Sequence, residues 1–75
     1  MKIYYVYILT NKYRTVFYIG VTNNLVKRIE AHKEGTGSTF TQKYNVKSLI
    51  YFEEFTSISQ AISREKQLKN WKREW

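Results

Sequence analysis

The apolar pattern near the end of this sequence is broken by a carboxylate. Ile58, Ala61, Ile62 and Leu68 recur at three- and four-residue steps, the spacing of one helix face. At about 100° per residue Glu65 falls between Ala61 and Ile62 in angle and should point at whatever the helix packs on. A carboxylate aimed at a core is costly unless it is paired, protonated or bound to a cation. Two readings stay open: a salt bridge to one of the many basic residues, or a metal or catalytic role. Arg28 and His32 stand four apart in an earlier helical pattern, beside Ile29, and so share a face. Taken singly, Arg28 is a solvated charge and His32 an amphipathic residue at a core margin. Tyr7 and Tyr18 lie in two strand-like runs, where each is a core aromatic whose hydroxyl needs a partner once buried. Taken together, the five propose a Tyr, Tyr, Arg, His and Glu set converging on one sheet face with a basic rim. Such groups move protons, bind anions and hold hard cations.

The elements that must position them can be read in turn. Ile3 to Thr10 is Tyr, Val, Ile and Leu with almost no polar interruption, which predicts a strand covered on both faces. Asn11 to Thr15 is a polar break, and Val16 to Thr22 is a second strand-like run, so the pair reads as an antiparallel hairpin. Gly20 inside the second run marks a bulge or a close approach to the backbone. Thr22, Asn23 and Asn24 offer N-caps for a helix from Leu25 to Glu34, stopped by Gly35. Thr36 to Lys47 reads as a loop with one short helix carrying Phe40 and Tyr44. Ser48 to Phe55 is a third strand, and Ser57 with Gln60 resembles a capping box opening a helix to about Trp71. The expected fold is α/β (α+β): a small, three-stranded, mostly antiparallel sheet flanked by helices, in the order β-β-α-(α)-β-α.

Seventy-five residues make a single domain, 1–75, near the lower limit for an unstapled core. With no cysteine and one histidine, disulfides and Cys- or multi-His metal sites are excluded, so a metal ion must use oxygen ligands. Seven Tyr, four Phe and two Trp supply the apolar area instead. No run approaches the roughly twenty apolar residues of a membrane span. Without a signal-peptide pattern at the start, a soluble cytoplasmic protein is expected. A formal charge of +7 calls for an anionic partner: nucleic acid, a membrane surface or an acidic protein.

The two strand runs resemble the signature of the GIY-YIG nuclease superfamily. Tyr18-Ile19-Gly20 stands intact, and Tyr5-Val6-Tyr7 is a degenerate first tripeptide with Tyr5 in the glycine position. Arg28 lies ten residues after Tyr18 and His32 fourteen after, similar to the arginine and the His-or-Tyr of the superfamily's helix. Ser63-Arg64-Glu65-Lys66-Gln67-Leu68-Lys69 resembles its metal-binding glutamate segment. The resemblance covers about Tyr4 to Trp71 and is strongest to small standalone bacterial members. Two departures stand out. Val21 occupies a position where some members have lysine, and Asn70 is too near Glu65 to be assumed the substitute for a more distal asparagine.

The resemblance implies the GIY-YIG fold and a metal-dependent endonuclease acting on nucleic acid, DNA favoured over RNA, with repair or recombination as the setting. It implies one Mg²⁺ (or Mn²⁺) on Glu65, with no membrane and no small-molecule cofactor. In the implied mechanism Tyr18 orients or deprotonates the attacking water while hydrogen-bonded to Tyr7. An ordinary tyrosine pKa of about 10 makes that a demanding role. Arg28 binds the phosphate, His32 relays a proton or orients water, and Gly20 lets the substrate backbone approach the strand. Lys27, Lys43, Arg64, Lys66, Lys69, Lys72 and Arg73 are candidate phosphate contacts that read no sequence; each is equally well a solvated surface charge. Trp71 and Trp75 are candidate stacking residues, with packing of the terminus the better reading. The rival functions are a catalytically weak or inactive nucleic-acid-binding module of the same fold, and a protein-interaction domain.

Overall fold

The computed structural model describes residues 2–34 and 43–71, Trp71 by its backbone alone. Three strands, β1 (Tyr4–Thr10), β2 (Phe17–Thr22) and β3 (Ser48–Phe55), and two helices, α1 (Leu25–Glu34) and α2 (Ile58–Trp71), follow one another along the chain. The strands form one sheet ordered β2-β1-β3, antiparallel throughout. The short helix expected between Thr36 and Lys47 lies largely outside the described residues; Lys43 and Tyr44, the part inside, are helical.

The near-continuous apolar run of β1 is explained by its central place, because both of its faces are covered. Val6 and Ile8 join Ile19 of β2 against Ala61 and Leu68 of α2. The alternate residues Tyr7 and Leu9 face the other way, where Val46 caps them and Leu25 and Ile29 of α1 pack alongside. Each fully buried apolar side chain of this kind contributes about 1.5–3 kcal/mol. The sheet is therefore a wall with one helix on each side, and successive residues of β1 answer to different helices.

Local chemistry sets the connections. In the hairpin loop the Asn11 side chain accepts from the amides of Thr15 (2.9 Å) and Val16 (3.3 Å), and Arg14 takes a left-handed φ of 56°. At the start of α1 the cap is Asn24, whose Oδ1 accepts from the Lys27 amide at 3.1 Å. A register irregularity between Ile8 and Leu9 leaves Ile50 as an extra residue of β3. Among the described residues no helix is long and apolar enough to cross a membrane.

Candidate active site

Four of the five expected residues come together on the α1 side of the sheet. Tyr7 is wholly buried in β1, and its hydroxyl lies 3.1 Å from Nε2 of His32, which is itself wholly buried. Nε of Arg28 donates to the same hydroxyl at 3.3 Å. The Tyr18 ring lies 6.2 Å from that of Tyr7 and 5.3 Å from that of His32. The reach is set by register and helical spacing. Leu9 pairs with Tyr18, so Tyr18 points to the Tyr7 side, while Arg28 and His32 rise one turn apart on α1.

The electrostatics follow from burial. Desolvation raises the Tyr7 pKa above its ordinary value, against the opposing hydrogen bond from Arg28. Tyr7 is thus held neutral, a hydrogen-bonding link and not a base. Desolvation, aided by the Arg28 charge, lowers the His32 pKa below its ordinary 6.5, so the imidazole is neutral at neutral pH and able to accept a proton. The proton between Tyr7 Oη and His32 Nε2 is shared by two neutral groups.

Gly20 marks a close approach to the backbone, one of the two readings its place in the strand allowed. It pairs directly with Tyr7, and a Cβ built there would lie 2.6 Å from the Tyr7 hydroxyl and 2.7 Å from its Cζ. The close approach at Gly20 is made by Tyr7, whose hydroxyl is fixed by His32 and Arg28 and has no freedom to yield. The missing side chain makes room for the cluster itself.

Glu65 is the residue the expected single face does not gather in. It belongs to α2, whose core residues Ala61 and Leu68 cover the opposite side of the sheet. The helical period correctly aims Glu65 at the sheet, but at the other face. Its side chain is 21% exposed, and Lys69 Nζ approaches it at 3.7 Å. Arg64, the residue before it, bonds Glu53 of β3, so the turn of about 100° places Glu65 on the flank of α2 away from β3, over edge strand β2. The two sides of the sheet communicate at the end of β2, where Arg28 and Ile58 line one depression of about 390 Å³ together with Tyr4, Val21, Thr22 and Asn23. Among the described residues no three His, Asp or Glu side chains gather as a cage. A lone carboxylate, partly exposed, fits a hard cation that keeps most of its waters.

The basic residues divide as well. Lys27 lines a depression of about 240 Å³ together with Arg28, Thr22 and Asn23. Arg64, by contrast, is engaged: Nε meets Glu53 Oε1 at 2.7 Å and Nη1 donates to Gln67 at 3.0 Å. Lys43 lies over the Tyr44 ring, and Lys66 and Lys69 are exposed on α2. Lys72, Arg73 and Trp75 lie outside the described residues, as does the Trp71 side chain. Asn23 was not singled out from sequence because it reads as one more cap; the cap is Asn24, and Asn23 instead lines three adjoining depressions.

Comparison with known proteins agrees with the fold. Residues 3–75 match the family model of the GIY-YIG catalytic domain. A UPF0213 protein of Clostridium perfringens is 46% identical over 65 residues, 87% of this chain and 69% of that protein. One from Staphylococcus haemolyticus is 36% identical over 74 residues, 99% of this chain and 89% of the relative. The solution NMR structure of a UPF0213 protein from Bacillus halodurans aligns with a TM-score of 0.53 at 31% identity, covering 91% of this chain and 71% of the other. With the two strand signatures, the Arg28–His32 helix and the fold in agreement, the chain belongs to the GIY-YIG catalytic-domain family of nucleases.

Proposed function

We propose that the chain is a divalent-metal-dependent endonuclease of the cytoplasm that hydrolyses phosphodiester bonds, with DNA as its substrate and repair or recombination as its setting. The observation that carries this reading is the buried Tyr7–His32–Arg28 contact set beside Tyr18, packed so tightly over Gly20 that a methyl group there would not fit. Hydrolysis requires a deprotonated water and neutralised charge on the phosphate. Arg28, partly exposed and hydrogen-bonded to Tyr7 at Nε and to Tyr18, keeps further guanidinium donors to offer to a phosphate oxygen. Tyr18 takes a proton from the attacking water as its own hydroxyl proton passes to Tyr7, and Tyr7 passes one to neutral His32. The proton thus ends on the one neutral base of the cluster. Glu65 would hold Mg²⁺ or Mn²⁺ at the β2 edge, and that ion, when bound, supplies charge neutralisation at the phosphate.

The test is cleavage of a labelled panel of single-stranded, duplex, flap and branched strands with Mg²⁺ or Mn²⁺. Metal-dependent products that vanish in Glu65→Gln and Tyr18→Phe are expected. A folded protein that binds these strands and cuts none would leave the non-catalytic binding module as the answer. One observation favours that second reading: Val21 packs against the apolar cluster under α2 and offers no charge where some members of the family carry lysine.

A further inference from the structure

Beside the Tyr7 cluster, on the same face of the sheet, lies an aromatic corner that the proposed chemistry does not use. Tyr7 pairs with Phe52 across the β1–β3 ladder, so Phe52 is its immediate neighbour on that face. Tyr5 sits two residues earlier on β1, about 7 Å from Tyr7 along the strand and on the same side. The Tyr5 and Phe52 rings meet edge to face, with centroids 6.2 Å apart and planes at 60°. They wall a depression of about 300 Å³ with Leu25, Val26, Asn23, Asn24 and Glu54, whose carboxylate can accept from the amino group of a base. Phe52 remains 46% exposed and Val26 70% exposed. The Phe52 ring meets the Tyr5 edge and is otherwise left half in water beside the Tyr7 cluster.

We propose that the Tyr5–Phe52 corner is a stacking subsite for an unpaired nucleobase next to the scissile phosphate. The inference rests on the nuclease reading for its register, though not for its chemistry. Three features select a nucleobase over an aliphatic ligand or a protein side chain. Both walls offer aromatic rings, and every base has a π-face to stack on them. The depression adjoins the one containing Lys27 and Arg28, and Asn23 lines both, so a base in the corner would have its backbone phosphates beside two cations. Asn23 makes no hydrogen bond to another described residue, which leaves a donor and an acceptor for a base edge. In a duplex the faces of the bases are covered by their neighbours; the corner therefore selects strands with exposed bases.

The test is fluorescence anisotropy of a short labelled single DNA strand, with a labelled duplex in parallel, in buffer without divalent metal. Phe52→Leu and Tyr5→Leu keep apolar volume and remove the ring. Each should weaken single-strand binding about fivefold to a hundredfold, with duplex binding and the thermal melt unchanged. Equal losses on both probes, or none on the single strand, would overturn the subsite. If either variant melts early, the parent protein decides the matter. A strand built of abasic sites should bind it more weakly than the intact strand, and equal affinity would overturn the proposal. Because no cleavage is read, the two ideas fail separately: stacking without cutting removes the nuclease reading, and cutting without stacking removes the subsite.

Discussion

The two sides of the sheet are built from the same strands and contrast in almost every property. Under α2 the buried residues are aliphatic, Val6, Ile8, Ile19, Ala61 and Leu68, with Tyr4, Phe17 and Phe55 packed around them, and the polar partners Glu53 and Arg64 stay at the rim. Under α1 the same strands bury a phenol and an imidazole, hydrogen-bonded to each other and to a guanidinium. Alternation along β1 makes this possible, since one residue of the strand can serve stability while the next serves chemistry. A buried polar cluster is costly unless every member is satisfied. No buried side-chain nitrogen or oxygen among the described residues lacks a partner. The contrast means that substitutions on the two sides should show up in different measurements.

The largest expected effect is on rate. Tyr18→Phe, which removes one hydroxyl from the α1 side, should lower cleavage by about 10²–10⁴, the range for a lost proton-transfer group, with little change in the melt. Glu65→Gln should abolish metal-dependent cleavage from the other side. Its melt without metal should shift by no more than about 0.5 kcal/mol, because among the described residues its ion-pair partner is exposed Lys69 at 3.7 Å. A drop of about 3 kcal/mol would instead mark Glu65 as half of a buried structural pair and end its catalytic assignment.

Gly20→Ala comes next and bears on both sides at once. The added methyl must displace the Tyr7 ring, so the protein should lose about 1–3 kcal/mol of stability through overpacking and lose cleavage with it. Were Gly20 open space for substrate, the melt would be unchanged and only substrate affinity would fall. A thermal melt beside a KM measurement separates these.

The sides should also titrate differently. His32 has a lowered folded pKa, so below its ordinary 6.5 the unfolded chain takes up a proton that the folded chain refuses. Stability therefore falls as pH drops from about 6.5 toward the folded value. Tyr7, with its pKa raised above 10.0, loses stability in the opposite direction, as pH rises past 10.0 and the unfolded phenol ionises first. Glu53, whose pKa is lowered by the Arg64 hydrogen bond, contributes stability that begins to fade only below its ordinary 4.5. Melts of His32→Gln against the parent should converge as pH falls from 7 to 5, reading the loss of the histidine contribution. In the rate, a relay ending on His32 gives a rise with its midpoint below 6.5, followed by a plateau at higher pH.

Much of this was legible in sequence. The run Ser48–Phe55 is a strand over those residues, and Leu25–Glu34 is a helix over those, because composition and periodicity act locally. That Tyr7, Tyr18, Arg28 and His32 share one side of the sheet was also legible, since strand alternation and helical spacing fix which residues lie together. What sequence could not supply is which face of the sheet each helix covers. Periodicity says that Glu65 turns toward a sheet; only the chain path says that α2 lies across the wall from α1. Which group comes close at Gly20 stayed open for a similar reason, because its opposite number in the ladder, Tyr7, is a matter of register. Arg64 looked like one basic residue among many until β3 brought Glu53 beside it.

That last residue offers the smallest effect and a clean discrimination. Arg64 lies on the stability side, where its side chain is 25% exposed and its pair with Glu53 spans α2 and β3. Partly exposed pairs of this kind are worth about 0.2–1 kcal/mol. Arg64→Ala should lower the melt by that order, and a cycle with Glu53→Ala should recover most of it as coupling. Lys27 lies beside Arg28 on the other side, with its side chain exposed. Lys27→Ala should leave the melt nearly unchanged and reduce the slope of log affinity against log salt by about 1, since one phosphate contact is lost. Arg64→Ala should leave that slope alone, because its guanidinium is already neutralised by a carboxylate. If the slope falls for Arg64→Ala as much as for Lys27→Ala, nucleic acid draws the arginine away from Glu53. Strand binding would then extend around the sheet onto α2, and the division of labour between the two sides would be less complete than the free protein shows.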